Sequence, residues 1–137
     1  QGNEDVATVV ATGITLHEAL KAYEELSREN IMIRVIDLYS VKPLDVVTLQ
    51  AATKQTKAII TVEDHFAEGG IGEAVQSALC GRPTVVRILA VRKYPKSGKP
   101  DELLNYEEIS RHAIVKAVRQ EIKPLAAPSL PARHVRP

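Results

Sequence analysis

Four short runs, Val6 to Ala11, Ile33 to Leu38, Ala58 to Glu63 and Thr84 to Val91, are almost continuously apolar and rich in β-branched residues. A strand with one wet face alternates polar and apolar residues, so runs this continuous read as strands buried on both faces. Burial of that kind belongs to a parallel sheet, whose neighbouring strands need a crossover of a dozen or more residues between them. The intervening segments supply it. Thr15-Leu16-His17-Glu18 places a hydroxyl and a carboxylate at capping-box spacing, and Leu16, Ala19, Leu20, Tyr23 and Leu26 then follow on one helical face. A second helix is expected from Pro43-Leu44-Asp45 to about Thr56, and a third carries Ile71, Ala74, Val75, Ala78 and Leu79 before Gly81 stops it. After the fourth run come a polar loop, a short helix near Asp101 to Asn105, and a last helix from Ser110 with Ile114, Ala117, Val118 and Ile122 inward. The order βαβαβαβ and then α predicts an α/β fold, a parallel sheet covered by helices on both faces, because right-handed crossovers pack back onto the sheet.

A chain of 137 residues, 45% hydrophobic and 26% charged, has the balance of a single globular core. That core is expected over residues 1–123, and residues 124–137, which hold four of the eight prolines, read as a flexible Pro-rich tail. The polar start Gln1-Gly2-Asn3-Glu4-Asp5 and the lack of any apolar run near the ~18–20 residues that cross a bilayer argue against secretion and against a membrane partner. A net charge of +1 gives no general attraction for nucleic acid. Cys80 is the only cysteine, which excludes an internal disulfide and a thiolate metal cluster and makes the cytoplasm the expected location.

Ligands of open parallel sheets bind beyond the carboxyl ends of the strands, so chemistry is sought in Thr12 to Ile14, Asp37 to Lys42, Glu63 to Gly72 and Arg92 to Lys99. The third is the densest, with Glu63, Asp64, His65, Glu68, Gly69, Gly70 and Gly72 between a strand and a helix. Gly70-Ile71-Gly72 opens a dinucleotide fingerprint, but Val75 stands at the third small position and Glu73 would repel phosphate, so the glycines read as allowing a helix to approach a strand. Ser97-Gly98-Lys99 fails as a phosphate loop in the same way, with Lys93 and Pro100 where glycine and a hydroxyl residue belong. Glu63, Asp64 and His65 have the chemistry of an acid, an orienting carboxylate and a base, or of hard-metal ligands. Neighbours on a strand point to opposite faces, however, which favours a buried ionic network fixing a loop at an interface. His17 and His112 read as solvated, and Cys80 as packed within a helix. Arg92, Lys93, Lys96 and Lys99 read as either a clamp for a phosphorylated ligand or a solvated loop.

Thr61-Val62-Glu63-Asp64-His65 followed by Gly69-Gly70-Ile71-Gly72-Glu73-Ala74-Val75 resembles the C-terminal domain of transketolase in its animal form. Gly13-Ile14-Thr15-Leu16-His17-Glu18-Ala19-Leu20 is similar to it as well, as are Ile33-Arg34-Val35-Ile36-Asp37 with Lys42-Pro43-Leu44-Asp45, and Ser97-Gly98-Lys99-Pro100 with Glu102-Leu103-Leu104. These segments keep the family's order and spacing over roughly Val6 to Ile122.

The resemblance implies a three-layer αβα sandwich with strand order 2-1-3-4. It also implies a homodimeric enzyme of three domains that moves a two-carbon ketol unit between phosphorylated sugars, using thiamine diphosphate and a divalent metal, magnesium or calcium. In that family the diphosphate and metal belong to the first domain, and the activating glutamate to the second. The metal-binding Gly-Asp-Gly pattern does not occur here, so no catalytic, cofactor or metal residue carries over, and this stretch alone is expected to be inactive and to bind no cofactor. What carries over is architecture, with Glu63, Asp64, His65, Gly69, Gly70 and Gly72 as an interface element of the dimer. The family's antiparallel edge strand ahead of Val6 finds too few residues in Gln1 to Asp5. Related readings are 1-deoxyxylulose-5-phosphate synthase, a 2-oxo acid dehydrogenase β subunit, or a stand-alone binding module using the crevice near Gly13 and His65.

Overall fold

A computed structural model describes residues 5–122. The expected tail over residues 124–137 lies outside them, as do Gln1 to Glu4 and Lys123. Among the described residues nine elements alternate: β1 (Ala7–Ala11), α1 (Ile14–Ser27), β2 (Ile33–Asp37), α2 (Val46–Gln55), β3 (Ala58–Phe66), α3 (Ile71–Ala78), β4 (Val85–Val91), α4 (Pro100–Tyr106) and α5 (Arg111–Ile122). The four strands form one parallel sheet ordered β2-β1-β3-β4. β1 is therefore central although it comes first, and all five of its residues are buried. This is the three-layer αβα sandwich that the alternation and the resemblance predict.

The faces of the sheet differ in their cover. Val9, Ala11, Ile60 and Val62 pack with Ala19, Ala22 and Leu26 of α1 and with Ile114, Val115 and Val118 of α5. Val10 and Ile59 point the other way, toward Leu49 and Ala52 of α2 and Ile71 and Val75 of α3. Alternate residues of one strand thus serve two cores, which is why the strands read as continuous apolar runs. The edge strands β2 and β4 are only partly buried.

Several local expectations need correction. Thr15 and Glu18 do not form a capping box, because α1 begins two residues earlier than the pattern suggests, behind Gly13, which gives no side-chain cap. The Thr15 hydroxyl instead lies 2.8 Å from the carbonyl oxygens of both Thr12 and Val62, tying the start of α1 to β3. The buried face of α1 is Thr15, Glu18, Ala19, Ala22 and Leu26, while Leu20 and Tyr23 are exposed. Cys80 lies past the end of α3 and is exposed rather than packed.

Glu18 serves a different helix from the one expected. Its buried carboxylate accepts the backbone N–H of Arg111 at 2.7 Å and the ammonium of Lys21 at 2.7 Å. It therefore caps the N-terminus of α5, where a negative charge is favoured. Burial by itself pushes this carboxyl up, but the hydrogen bonds from Lys21 and Arg111 and their positive charges outweigh it and hold the group below its ordinary value. A carboxyl depressed in the folded state adds stability above its unfolded pKa of about 4.3, and that stability is lost as the pH falls through the folded value. Glu18→Gln should accordingly cost about 1–2 kcal/mol at pH 7 in urea unfolding, and the deficit should shrink below about pH 4. A deficit that stays constant with pH would assign the effect to packing instead.

Candidate functional site at the carboxyl end of the sheet

Because the strands are parallel, they all deliver their carboxyl ends to one side, and β3 reaches furthest. Its register with β4 runs evenly from Ala58↔Val85 to Val62↔Leu89 and then jumps to Phe66↔Val91. Four residues of β3 thus advance against two of β4, a bulge that breaks the strict alternation of side chains. The expectation from spacing alone, that Glu63, Asp64 and His65 fall on alternating faces, is replaced by a sharper division. Glu63 turns into the domain and is 2% exposed, while Asp64, His65 and Phe66 are all exposed.

Both oxygens of the Glu63 carboxylate are occupied. Oε2 accepts the N–H of Ile71 at 2.7 Å and Oε1 that of Gly72 at 3.0 Å, so the side chain caps the first turn of α3 from the neighbouring strand. The glycines follow from this contact. A Cβ on Gly70 would stand 1.9 Å from Glu63 Oε2, and one on Gly72 would stand 2.5 Å from Cγ2 of Ile88 on β4. Only a residue without a side chain lets the helix come this close to strand and carboxylate. Gly69 meets a conformational demand instead, with φ of 74°, and its N–H donates to Glu73 Oε2 at 2.8 Å.

Thiamine diphosphate or its metal does not fit this place. The amides at the start of α3 that would cradle a phosphate are already bonded to an internal carboxylate, whose charge would repel it. No group of three or more His, Cys, Asp or Glu side chains is arranged to hold a metal ion among the described residues.

The outward part of the segment belongs to a larger surface that sequence reasoning missed. Tyr39 after β2 is 87% exposed, Phe66 at the end of β3 is 50% exposed and Tyr94 after β4 is 91% exposed, with Ile14 and Val41 also open. Large apolar side chains thus follow every strand on the side where Asp64 and His65 lie. The available signal was an aromatic residue among charged and polar neighbours, as at Phe66 and Tyr94. His65 Nδ1 lies 2.7 Å from the carbonyl oxygen of Phe66, which fixes the ring beside the bulge. Asp45 in the same region caps α2 by accepting from the hydroxyl and N–H of Thr48, and these two bonds hold its carboxyl below the ordinary value. Gly13, at a φ of 58°, is exposed at the start of α1. His17 and His112 are exposed as expected. The basic cluster is partly committed: Lys93 and Lys96 stand over the ring of Tyr106 at 5.0 and 4.4 Å, and Lys93 also pairs with Glu108.

The division between inward and outward residues has a measurable consequence. Glu63→Gln sets an amide N–H₂ against a backbone donor and should lower stability by about 1–3 kcal/mol in urea unfolding. Asp64→Ala and His65→Ala should stay within about 0.5 kcal/mol of wild type. Equal losses for all three would mean that the exposed residues belong to the internal network.

The family profile "Transketolase, C-terminal domain" matches residues 1–114. "Transketolase-like protein 2" of Mus musculus is 54% identical over 124 residues, which cover 89% of this chain and 20% of that protein. "Transketolase" of Homo sapiens is 51% identical over 121 residues, covering 87% of this chain and 19% of that one. The chain thus spans about a fifth of the length of these curated relatives. Among solved structures, "Split gene transketolase, inactive beta4 tetramer" superposes with a TM-score of 0.81 at 33% identity, covering 88% of this chain and 40% of that one. With a profile match over most of its length, relatives about half identical in sequence and the strand order that the resemblance implies, the chain belongs to the transketolase C-terminal domain family.

Proposed function

We propose that this domain serves the assembly of a cytoplasmic, homodimeric transketolase. In that reading the complete enzyme transfers a two-carbon ketol unit between phosphorylated sugars, with thiamine diphosphate and a divalent metal held by other domains. The single observation that supports a role in assembly is the exposed rim of Tyr39, Phe66 and Tyr94 at the carboxyl end of the sheet, beside Asp64 and His65. Exposed aromatic groups on several neighbouring loops are the anchors from which protein interfaces are built. Glu63, Gly70 and Gly72 act on this surface from behind, by fixing the bulge and the start of α3, and Gly69 shapes the turn between them.

The test uses the complete enzyme. Asp64→Ala combined with His65→Ala should raise the dimer dissociation constant about tenfold or more, so that sedimentation and specific activity fall together on dilution while turnover of the intact dimer is kept. A variant that stays dimeric with wild-type stability while its turnover collapses would place these residues in catalysis and overturn the assignment. For the 137-residue chain itself, calorimetric titration with thiamine diphosphate and magnesium should give no saturable heat. A micromolar isotherm, equivalent to about −8 kcal/mol, would refute the view that the cofactor is held elsewhere.

A further inference from the structure

A hollow of about 460 Å³ lies between β4 and α5 and reaches Arg92 and Lys93, just past the end of the strand. Its apolar lining includes Ile88 and Ala90 on the strand and Ala113 and Ala117 on the helix. The side chain of Ile88 packs toward Gly72, while Arg87 and Leu89, which also line the hollow, alternate with it along the strand, and Leu89 packs into the core that α5 shares. β4 pairs with β3 on one side only among the described residues, and its outer edge therefore offers a row of backbone donors and acceptors. Most of its residues are half-buried, and Val85 at its start is exposed.

The charges around this edge are unequally committed. Arg87 is held by Glu121, with Nε 2.8 Å from Oε1. Lys93 pairs with Glu108 at 3.4 Å, and its backbone N–H donates to Glu107 at 3.3 Å. The acids of the hollow thus have partners. Arg92 and Lys116 also line it, and their side chains make no ion pair or hydrogen bond among the described residues. An open strand edge, a small apolar lining and two uncommitted cations together define a complementary occupant.

We infer that β4 and α5 form a docking groove for an extended acidic peptide segment of a partner protein, which adds to the sheet as a fifth strand. Strand addition takes its affinity from main-chain hydrogen bonds and its selectivity from alternate side chains. Every second residue of the added strand faces α5, where carboxylates meet Arg92 and Lys116 and Ala113 and Ala117 leave room. The other residues continue the face that Ile88 belongs to, which suits β-branched groups. The seven residues of β4 span about 23 Å at ~3.3 Å each, the length of a segment of five to seven residues. A second copy of this chain is a poorer occupant, because edge-to-edge pairing would bring the same cations together.

The probe is a fluorescein-labelled heptapeptide alternating Glu and Val, titrated against the full 137-residue chain by fluorescence anisotropy. It should bind saturably and slow amide exchange across Val85 to Val91. Replacing its central Val by Pro keeps the charge but blocks a strand, and should weaken binding about tenfold or more. Arg92→Glu with Lys116→Glu should do the same with an unchanged unfolding midpoint, since both side chains are exposed. Equal binding of the Pro and Val peptides would reduce the effect to diffuse charge attraction and overturn the proposal. Failure to bind at about 1 mM peptide would show that the cations only guard the edge, and β4-mediated dimers in sedimentation would give the groove to a second copy; either result overturns it as well. The role of Asp64 and His65 is tested separately, by their own substitutions in the complete enzyme.

Discussion

The contact on which the carboxyl end of the sheet depends is the carboxylate of Glu63 set against the first amides of α3. It satisfies two backbone donors that the helix cannot satisfy for itself, and it places a negative charge where the helix dipole favours one. Because the acid comes from β3 and the helix follows β3 directly, the bond closes the turn between them. The helix is then drawn so close to the sheet that Gly70 and Gly72 admit no Cβ, and Ile88 of the neighbouring strand fills the space that remains. One side chain thus determines the residue type at two positions, the path of the intervening loop and the direction in which Asp64 and His65 leave the strand.

The same device joins the opposite layer. Glu18 leaves its own helix to cap α5, while Thr15 ties the start of α1 to β3 through the carbonyl of Val62. In both layers an acid from an earlier element closes the N-terminus of a later helix, so that charge that would be costly when buried becomes part of the scaffold. Both oxygens of each carboxylate are thereby engaged within the domain.

How legible this was depends on the range of the interaction. The four strands, the alternation of helices and the two-sided burial follow from local periodicity, and the resemblance carried the strand order. The bulge at Glu63 to His65 was not legible, since nothing in Val62-Glu63-Asp64-His65 departs from a strand pattern, and the irregularity appears only against β4. The capping box at Thr15 and Glu18 misled for a related reason: the spacing suits a local cap, but the amide of Arg111 offers the carboxylate a partner 93 residues away. The amphipathic reading of α1 put Leu20 and Tyr23 on the inner face, whereas Ala19 and Ala22, small enough for close packing, take that place. In the candidate site the glycines were correctly associated with close approach, but what they approach, a buried carboxylate, required the fold.

The long reach between Glu18 and Arg111 also bears on how the domain is made. β1 and α1 precede α5 in the chain, and the carboxylate of Glu18 finds its partner in the first residue of that helix, 93 positions on. Without α5, Val9, Ile60 and Val62 would lose the cover of Ile114, Val115 and Val118, and Glu18 would lose the amide it caps. The order β2-β1-β3-β4 has a similar effect, because β1 becomes central only by pairing with β3 across two intervening helices and β2. Folds rich in contacts of such high sequence separation fold slowly. The layer that α1 and α5 share is therefore closed by a contact between elements near opposite ends of the described residues, and cutting the chain between them would separate an acid from the amide that satisfies it.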